Sequence, residues 1–177
     1  MLNTNLVALN THDPYAHIFN QSLELAKATG AQLELLSTLS TVYDYRTPVG
    51  YYPGPMGYTM TMSDTFWNAY QTERLEEKAS VLKVLLELRT QAEKQGVRAE
   101  IIQVSGDPGV VICDRAKAEQ ADLIIVGSHG RRGLDELLVC CVSSYVMHRA
   151  TCSVMVVHSA TQSATTLSKT EKRVSLA

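Results

Sequence analysis

The order of segments along this chain predicts an α/β fold: five strands in one parallel sheet with helices on both faces. Three observations predict it. Short apolar runs alternate with helical patterns, and strands joined through helices lie parallel. The runs DLIIV (122–126) and SVMVV (153–157) are apolar at nearly every position, as strands covered on both faces must be. Helix boundary signals, Gly30, Gly96 and the Asp107-Pro108 pair, fall between the runs. At 177 residues the chain is long enough for one domain with a single core. Crossovers in such a sheet are right-handed, and ligands bind at the carboxyl ends of its strands, at a topological switch point.

Asn5-Leu6-Val7-Ala8-Leu9 reads as the first buried strand, ended by Asn10-Thr11-His12-Asp13-Pro14. Pro14 suits a first helical turn, where its missing N–H costs nothing. The helix is expected to run to about Thr29, with Ile18, Leu23, Leu25 and Ala26 on its apolar face and Gly30 as its stop. Gln32 to Ser37 is the second strand. Thr38 to Ser63 then lacks helical periodicity, and Pro48, Pro53 and Pro55 exclude regular structure through its middle. A loop this long is functional or disordered. Its tyrosines (43, 45, 51, 52 and 58) and Met56, Met60 and Met62 argue against a fully solvated linker. The expectation is an arm that wraps a dimer or docks a partner; a lid over the ligand mouth and a mobile insertion are the other readings.

A long amphipathic helix follows, from about Asp64 to Gln95, capped by Ser63 or Asp64 and ended by Gly96. Leu75, Ala79, Leu82 and Leu86 form its expected apolar stripe. Val97 to Val104 is the third strand. Asp107 as N-cap and Pro108 as first residue open the next helix. Asp122 to Val126 is the fourth strand, Val142 to His148 a helix, and Val154 to Val157 the last strand. The domain is read as residues 1–157, with an insertion at about 38–63. The tail 158–177, rich in Ser, Thr and Ala without apolar periodicity, is read as disordered.

Composition excludes several function classes. A net charge of −2 supplies no basic field for nucleic acid. No apolar run approaches the roughly 18–20 residues that span a bilayer. The N-terminus, MLNTNLVALN, has neither a basic region nor a long apolar one, so it is no signal peptide, and a cytoplasmic location away from membranes is expected. Four cysteines without a C-x-x-C argue against a disulfide framework, a zinc site and a thioredoxin-like motif. No carboxylate pair and no H-E-x-x-H marks catalysis or a metal. Ser128-His129 has no acid partner, so a hydrolase triad is not supported. No catalytic residue is assigned.

The strand ends place Asn10, Thr38 and Gly127 at one mouth. Gly127-Ser128-His129-Gly130-Arg131-Arg132-Gly133 directly follows a strand. Glycines there allow a tight turn whose main-chain N–H groups face an anion, and a following helix start adds partial positive charge. Arg131 and Arg132 add charge-assisted donors. The spacing is not the dinucleotide fingerprint G-x-G-x-x-G, and no Gly-Lys-Ser/Thr makes it a Walker A loop. On spacing alone, a glycine-rich turn with exposed arginines explains it as well as a phosphate site does.

The combination is more specific than the loop. Gly127-x-x-Gly130, nine residues, a small-residue pair and then VSSYVMHRATCSVMVV resemble the universal stress protein family. So do VALN, LELAKATGAQLELLS, the Gly106-Asp107-Pro108 helix start and ADLIIVGSHGR. The resemblance covers nearly all of residues 5–157 apart from the Tyr/Pro loop. It implies the adenine nucleotide alpha-hydrolase-like fold and homodimers formed through the last strand, Ser153 to Val157. It also implies a nucleotide site. An Asp that holds the nucleoside in ATP-binding members is matched by Asn10, with Thr11 beside it. Thr38 borders the base. Gly127, His129, Gly130 and Arg131 map to the phosphate loop. The family's Gly-Ser/Thr pair maps to Cys140 and Cys141, followed by Val142 and Ser143.

That pair is the main departure. Cys140 adds a side chain where phosphate approaches bare backbone, and Cys141 offers only a weak S–H donor. Each lost charge-assisted bond costs roughly 1.5–3 kcal/mol, one or more decades of affinity. The expectation is weak or altered adenine-nucleotide binding, with AMP less penalised than ATP and Mg required only if ATP binds. Any ATP hydrolysis is expected to be very slow, since no residue is an obvious general base.

Cys140 and Cys141 are also redox candidates, because a helix start near Arg131 and Arg132 lowers a thiol pKa. Neighbouring Cα atoms about 3.8 Å apart fall short of disulfide geometry, so single-thiol oxidation or a mixed disulfide is the expected chemistry. Small packed residues is the competing reading for the pair, and the one taken for Cys113 and Cys152. The sequence thus reads as a dimeric binding and signalling module with an unknown signalling partner. A thiol-based stress sensor and a nucleotide-free scaffold using the 38–63 loop are the rival readings.

Overall fold

The computed structural model describes residues 2–11, 15–39, 64–128 and 142–158. Five strands, β1 (Thr4–Ala8), β2 (Gln32–Leu39), β3 (Ala99–Ser105), β4 (Leu123–Ser128) and β5 (Ser153–His158), alternate with four helices among these residues. The helices are α1 (Tyr15–Thr29), α2 (Asp64–Lys94), α3 (Pro108–Ala118) and α4 (Val142–Arg149). The strands form one sheet in the order β3-β2-β1-β4-β5, and every pairing is parallel. The predicted fold class is the observed one.

Strand alternation divides the core into two layers. Val7 and Leu9, with Leu33, Leu35, Leu123 and Ile125, face α1 and α2. Leu6, Leu36, Ile124 and Val126 face Ile112 and Ala116 of α3 and Val146 of α4. Leu6 and Val7, on the central strand, are both fully buried, as double coverage requires. Asn5 is fully buried too, and neither of its amide atoms has a hydrogen-bond partner. Alternation puts it on the Val7 face, beneath α1.

The helix ends follow local chemistry. The N–H of Gly30 closes α1 on the Ala26 carbonyl (2.8 Å), and that of Val97 closes α2 on Ala92 (3.0 Å). Asp107 caps α3 by accepting from the Val110 N–H (3.1 Å). Gly106 holds φ at +151°, and an added Cβ would lie 2.8 Å from Val111 Cγ2, so only glycine fits there. Its N–H bonds the Leu39 carbonyl (3.1 Å), tying the end of β2 to the start of α3.

The structure corrects the stripe expected on α2. Leu75, Leu82 and Leu86 are 65%, 40% and 40% exposed, and Ala79 is exposed with them. The buried stripe is Val81, Leu85, Leu88 and Ala92, with the same spacing but rotated round the helix by about 120° at 100° per residue. Both stripes satisfy helical periodicity, and only contact with β2 and β3 distinguishes them. On α1, Phe19 and Ser22 are buried and Leu25 only partly so. Ser22 is tolerated because its hydroxyl donates to the Ile18 carbonyl (2.8 Å). β2 extends two residues past Ser37, β3 starts two later than Val97, β4 takes in Gly127 and Ser128, and β5 takes in His158. The rest of the 38–63 segment, from residue 40, and the tail from residue 159 lie outside the described residues.

Candidate functional site

The connections run from β1 through β2 to β3 on one side, while β4 and β5 lie on the other. The switch point is therefore the crevice between the carboxyl ends of β1 and β4, where Ala8 and Val126 are in register. Leu9, Asn10 and Thr11 leave β1 at this point, and Gly127 and Ser128 end β4 beside them. Because all strands are parallel, the helices that follow them begin at this end of the sheet, where their N–H groups and dipoles favour an anion. The start of α3 is already satisfied by its own carboxylate, Asp107. The starts of α1, after β1, and of α4, in the crossover after β4, are the two that follow the strands of the switch point.

The structure brings part of the predicted set together. Asn10 is exposed and Thr11 half-buried at the end of β1. Thr38 is a half-buried strand residue, in register with Val104, one strand from the crevice. By alternation with Leu36 and Val126, Thr38 and Ser128 both lie on the face covered by α3 and α4. Gly127, half-buried, ends β4 between them in register with Val157. Val142 opens α4 and is 37% exposed, whereas Ser143, in its first turn, is 5% exposed. His129, Gly130, Arg131, Cys140 and Cys141 lie outside the described residues. Two mouth residues escaped the sequence reading: Ser128, and His158, which is in register with it on β5. Period-two alternation continued past Val126 was the signal for Ser128; His158 needed the pairing of β4 with β5.

Gly127 brings a backbone without a side chain, and Ser143 a hydroxyl in the first turn of α4. Both suit a phosphate, as the two threonines and Asn10 suit the polar edge of a nucleoside. The described thiols are poor nucleophile candidates. Burial, foremost, pushes the Cys113 thiol up, with Asp114 adding to it, and burial likewise raises Cys152. Both half-buried side chains pack against the α3–α4 layer, in keeping with structural roles.

A depression of about 720 Å³ lies at the opposite end of the sheet, lined among others by Asn3, Gly30, Gln95 and Arg98. The carboxyl ends of α1 and α2 face it, so the helix dipoles there disfavour an anion. Asp122, nearby, is structural. Its Oδ2 accepts from the N–H groups of Asn3 (2.6 Å) and Thr4 (3.0 Å), and the first of these bonds leads in holding its pKa below the ordinary range. Among the described residues no helix is long and apolar enough to cross a membrane, and no cluster of three His, Cys, Asp or Glu side chains would hold a metal ion.

The universal stress protein family model matches residues 1–158, the whole sheet and its covering helices. The chain belongs to the universal stress protein family. It is 31% identical over 163 residues to the universal stress protein YxiE of Bacillus subtilis, covering 89% of this chain and 99% of that protein. In three dimensions this universal stress protein is similar to one solved in complex with cAMP, at a TM-score of 0.62 and 19% identity over 89% of this chain and 97% of the other. It is also similar to an Arabidopsis thaliana universal stress protein family protein solved with AMP bound, at a TM-score of 0.56 and 24% identity over 88% and 91% of the two chains. At these identities the likeness concerns the fold.

Proposed function

We propose that this universal stress protein is a dimeric binding and signalling module whose ligand is an adenine nucleotide held at the β1–β4 mouth, with AMP preferred over ATP. What supports this reading is that Asn10 and Thr11 leave β1 beside Gly127 of β4, at the strand pair where the topology reverses, with α4 and its first-turn Ser143 in the crossover that follows β4. The structurally similar proteins solved with cAMP and AMP support the choice of ligand class. Thr38 borders the base, and His129, Gly130 and Arg131 continue the site into the phosphate loop. Cys140 and Cys141 stand where a bare backbone and a hydroxyl serve phosphate best, which weakens the grip on a triphosphate most. Mg accompanies ATP only. Occupancy alters the loop and the start of α4, and through them the surface offered to a signalling partner.

The dimer is proposed through β5. Among the described residues no strand lies beside its outer edge, and Val154, Met155 and Val156 are only partly buried. The other edge, β3, carries Glu100 and Gln103, the kind of polar rim that discourages pairing.

The test is mass spectrometry of nucleotide released by denaturing the purified, undialysed protein, followed by calorimetry with AMP, ATP and Mg. Bound AMP, or AMP affinity above that for ATP, is expected, and Cys140→Gly with Cys141→Ser should raise ATP affinity by about a decade or more. Tight, magnesium-dependent ATP binding by the unaltered protein refutes the preference. An empty protein with oxidised Cys140 or Cys141 replaces this reading with a thiol sensor, and a clean protein that ignores added nucleotide replaces it with a scaffold.

A further inference from the structure

The exposed stripe of α2 is unaccounted for by the core and by the nucleotide mouth. Leu75, Ala79, Leu82 and Leu86 are successively 4, 3 and 4 residues apart, the a/d spacing of a coiled-coil seam. Among the described residues the stripe runs along an exposed flank of the helix. Gln103 on β3, the edge strand, donates to the Lys78 carbonyl (3.1 Å), whereas Val84 on the opposite flank packs against the core. The leucines thus lie towards the sheet edge, where the described residues leave them exposed and leave room for a second helix. Next to the stripe, on its outer side, lie Glu76 and Lys83, both exposed. They are two turns apart on one helix, roughly 10 Å along its axis, too far to pair with each other.

We infer that α2 pairs antiparallel with α2 of a second copy of this chain about a two-fold axis. In an antiparallel seam each a residue meets a d residue of the other helix. The register that pairs Leu75 with Leu86 of the second copy also pairs Ala79 with its Leu82. In this register Glu76 meets Lys83 of the second copy, and by symmetry Lys83 meets its Glu76. Hydrophobic spacing and charge pattern converge on the same register, and that self-complementarity identifies the partner as this chain itself. The seam is about 17 Å long at roughly 1.5 Å per residue, so association is weak and concentration-dependent. It lies at the sheet edge opposite β5, which makes it independent of the β5 dimer.

Sedimentation velocity of the full chain over a range of concentrations tests this. Leu82→Glu should lower the assembly by one association step without altering the fold. Glu76→Lys and Lys83→Glu should each weaken that step by about tenfold, since two attractive contacts become repulsive. The double exchange, Glu76→Lys with Lys83→Glu, should restore it to within about threefold, because opposite charges again meet across the axis. No purely intrachain role predicts that rescue. A stripe covered instead by residues 40–63 of its own chain, or by a different protein, leaves the assembly state indifferent to both reversals and overturns the proposal. So does a double exchange that fails to restore association while circular dichroism shows a folded chain.

Discussion

At Gly109, packing of α3 against α4 couples the scaffold to the candidate site. The glycine lies buried in the first turn of α3, and a Cβ built on it would sit 2.6 Å from Tyr145 Cδ1 and 2.9 Å from Cγ. Carbon atoms prefer about 3.5–4.0 Å, so Gly109→Ala requires roughly 1 Å of displacement. The clash involves the near end of the ring and, at 3.3 Å, Tyr145 Cβ, so a rotation about the outer bonds does not relieve it. Arg149 lies over the ring, 5.6 Å from its centroid, and confines it further. Two effects oppose each other. Alanine gains up to about 1 kcal/mol of helix propensity, less in a first turn, while overpacking costs about 1–3 kcal/mol. The clash wins, with a net loss of about 1–2 kcal/mol, or a Tm lowered by about 2–8 °C in a chain of this size. Thermal and urea denaturation measure the loss. Adding Tyr145→Ala opens the space, so the two substitutions should be coupled by about 1 kcal/mol or more. Because α4 also carries Val142 and Ser143, Gly109→Ala should weaken AMP binding as well. A Gly109→Ala protein as stable as the parent, or strictly additive with Tyr145→Ala, refutes the reasoning.

Further outcomes follow from the core and its buried polar groups. Leu85→Ala should cost about 2–5 kcal/mol in urea denaturation, whereas Leu75→Ala at low protein concentration should stay within about 0.5 kcal/mol; the reverse would mean that α2 buries its other stripe. Asn5→Leu replaces two unpartnered buried polar atoms by methyl groups on the same branched skeleton, relieving about 1–3 kcal/mol of desolvation against some overpacking by the larger side chain. The smaller Asn5→Val relieves the same desolvation with less overpacking and should stabilise by about 1 kcal/mol; loss of stability in both variants would show that the amide is satisfied. Glu34 is buried on β2, and burial, then Glu119, raises its carboxyl pKa against the opposing Arg115. Its folded form binds protons more tightly than the unfolded one, so its contribution is most favourable below the ordinary carboxylate pKa of about 4.3 and is lost as pH rises through the raised folded value. Glu34→Gln should remove that dependence and raise stability at neutral pH, as urea midpoints between acid and neutral pH will show. Asp122 has the opposite sign: its folded pKa is depressed, so its contribution is present above about 3.9 and is lost as pH falls through the lowered value. In Asp122→Asn that acid-side loss should disappear, and an unchanged profile would sever the link to the Asn3 and Thr4 bonds.

The sequence by itself determined the elements and their order. Local chemistry acts within a few residues: Gly30 and Gly96 end helices, Asp107 and Pro108 begin one, and LIIV at 123–126 is apolar on both faces because both faces are covered. Family resemblance likewise rests on residues close in sequence, such as ADLIIVGSHGR, and needed no coordinates. Periodicity identifies an amphipathic helix but does not choose between two apolar stripes of equal spacing. Contact with β2 and β3 selected Val81, Leu85, Leu88 and Ala92, and left Leu75, Leu82 and Leu86 outside. The mouth shows the same division. Asn10, Thr38 and Gly127 were legible as strand ends, whereas Ser128 and His158 became neighbours only through the register of β4 with β5. Glu34, on an apolar strand, gave no local sign that it would be buried near Glu100 and the Arg115–Glu119 pair at the carboxyl end of α3. A burial environment is a property of everything that packs around a residue, and that is decided only when distant segments of the chain meet.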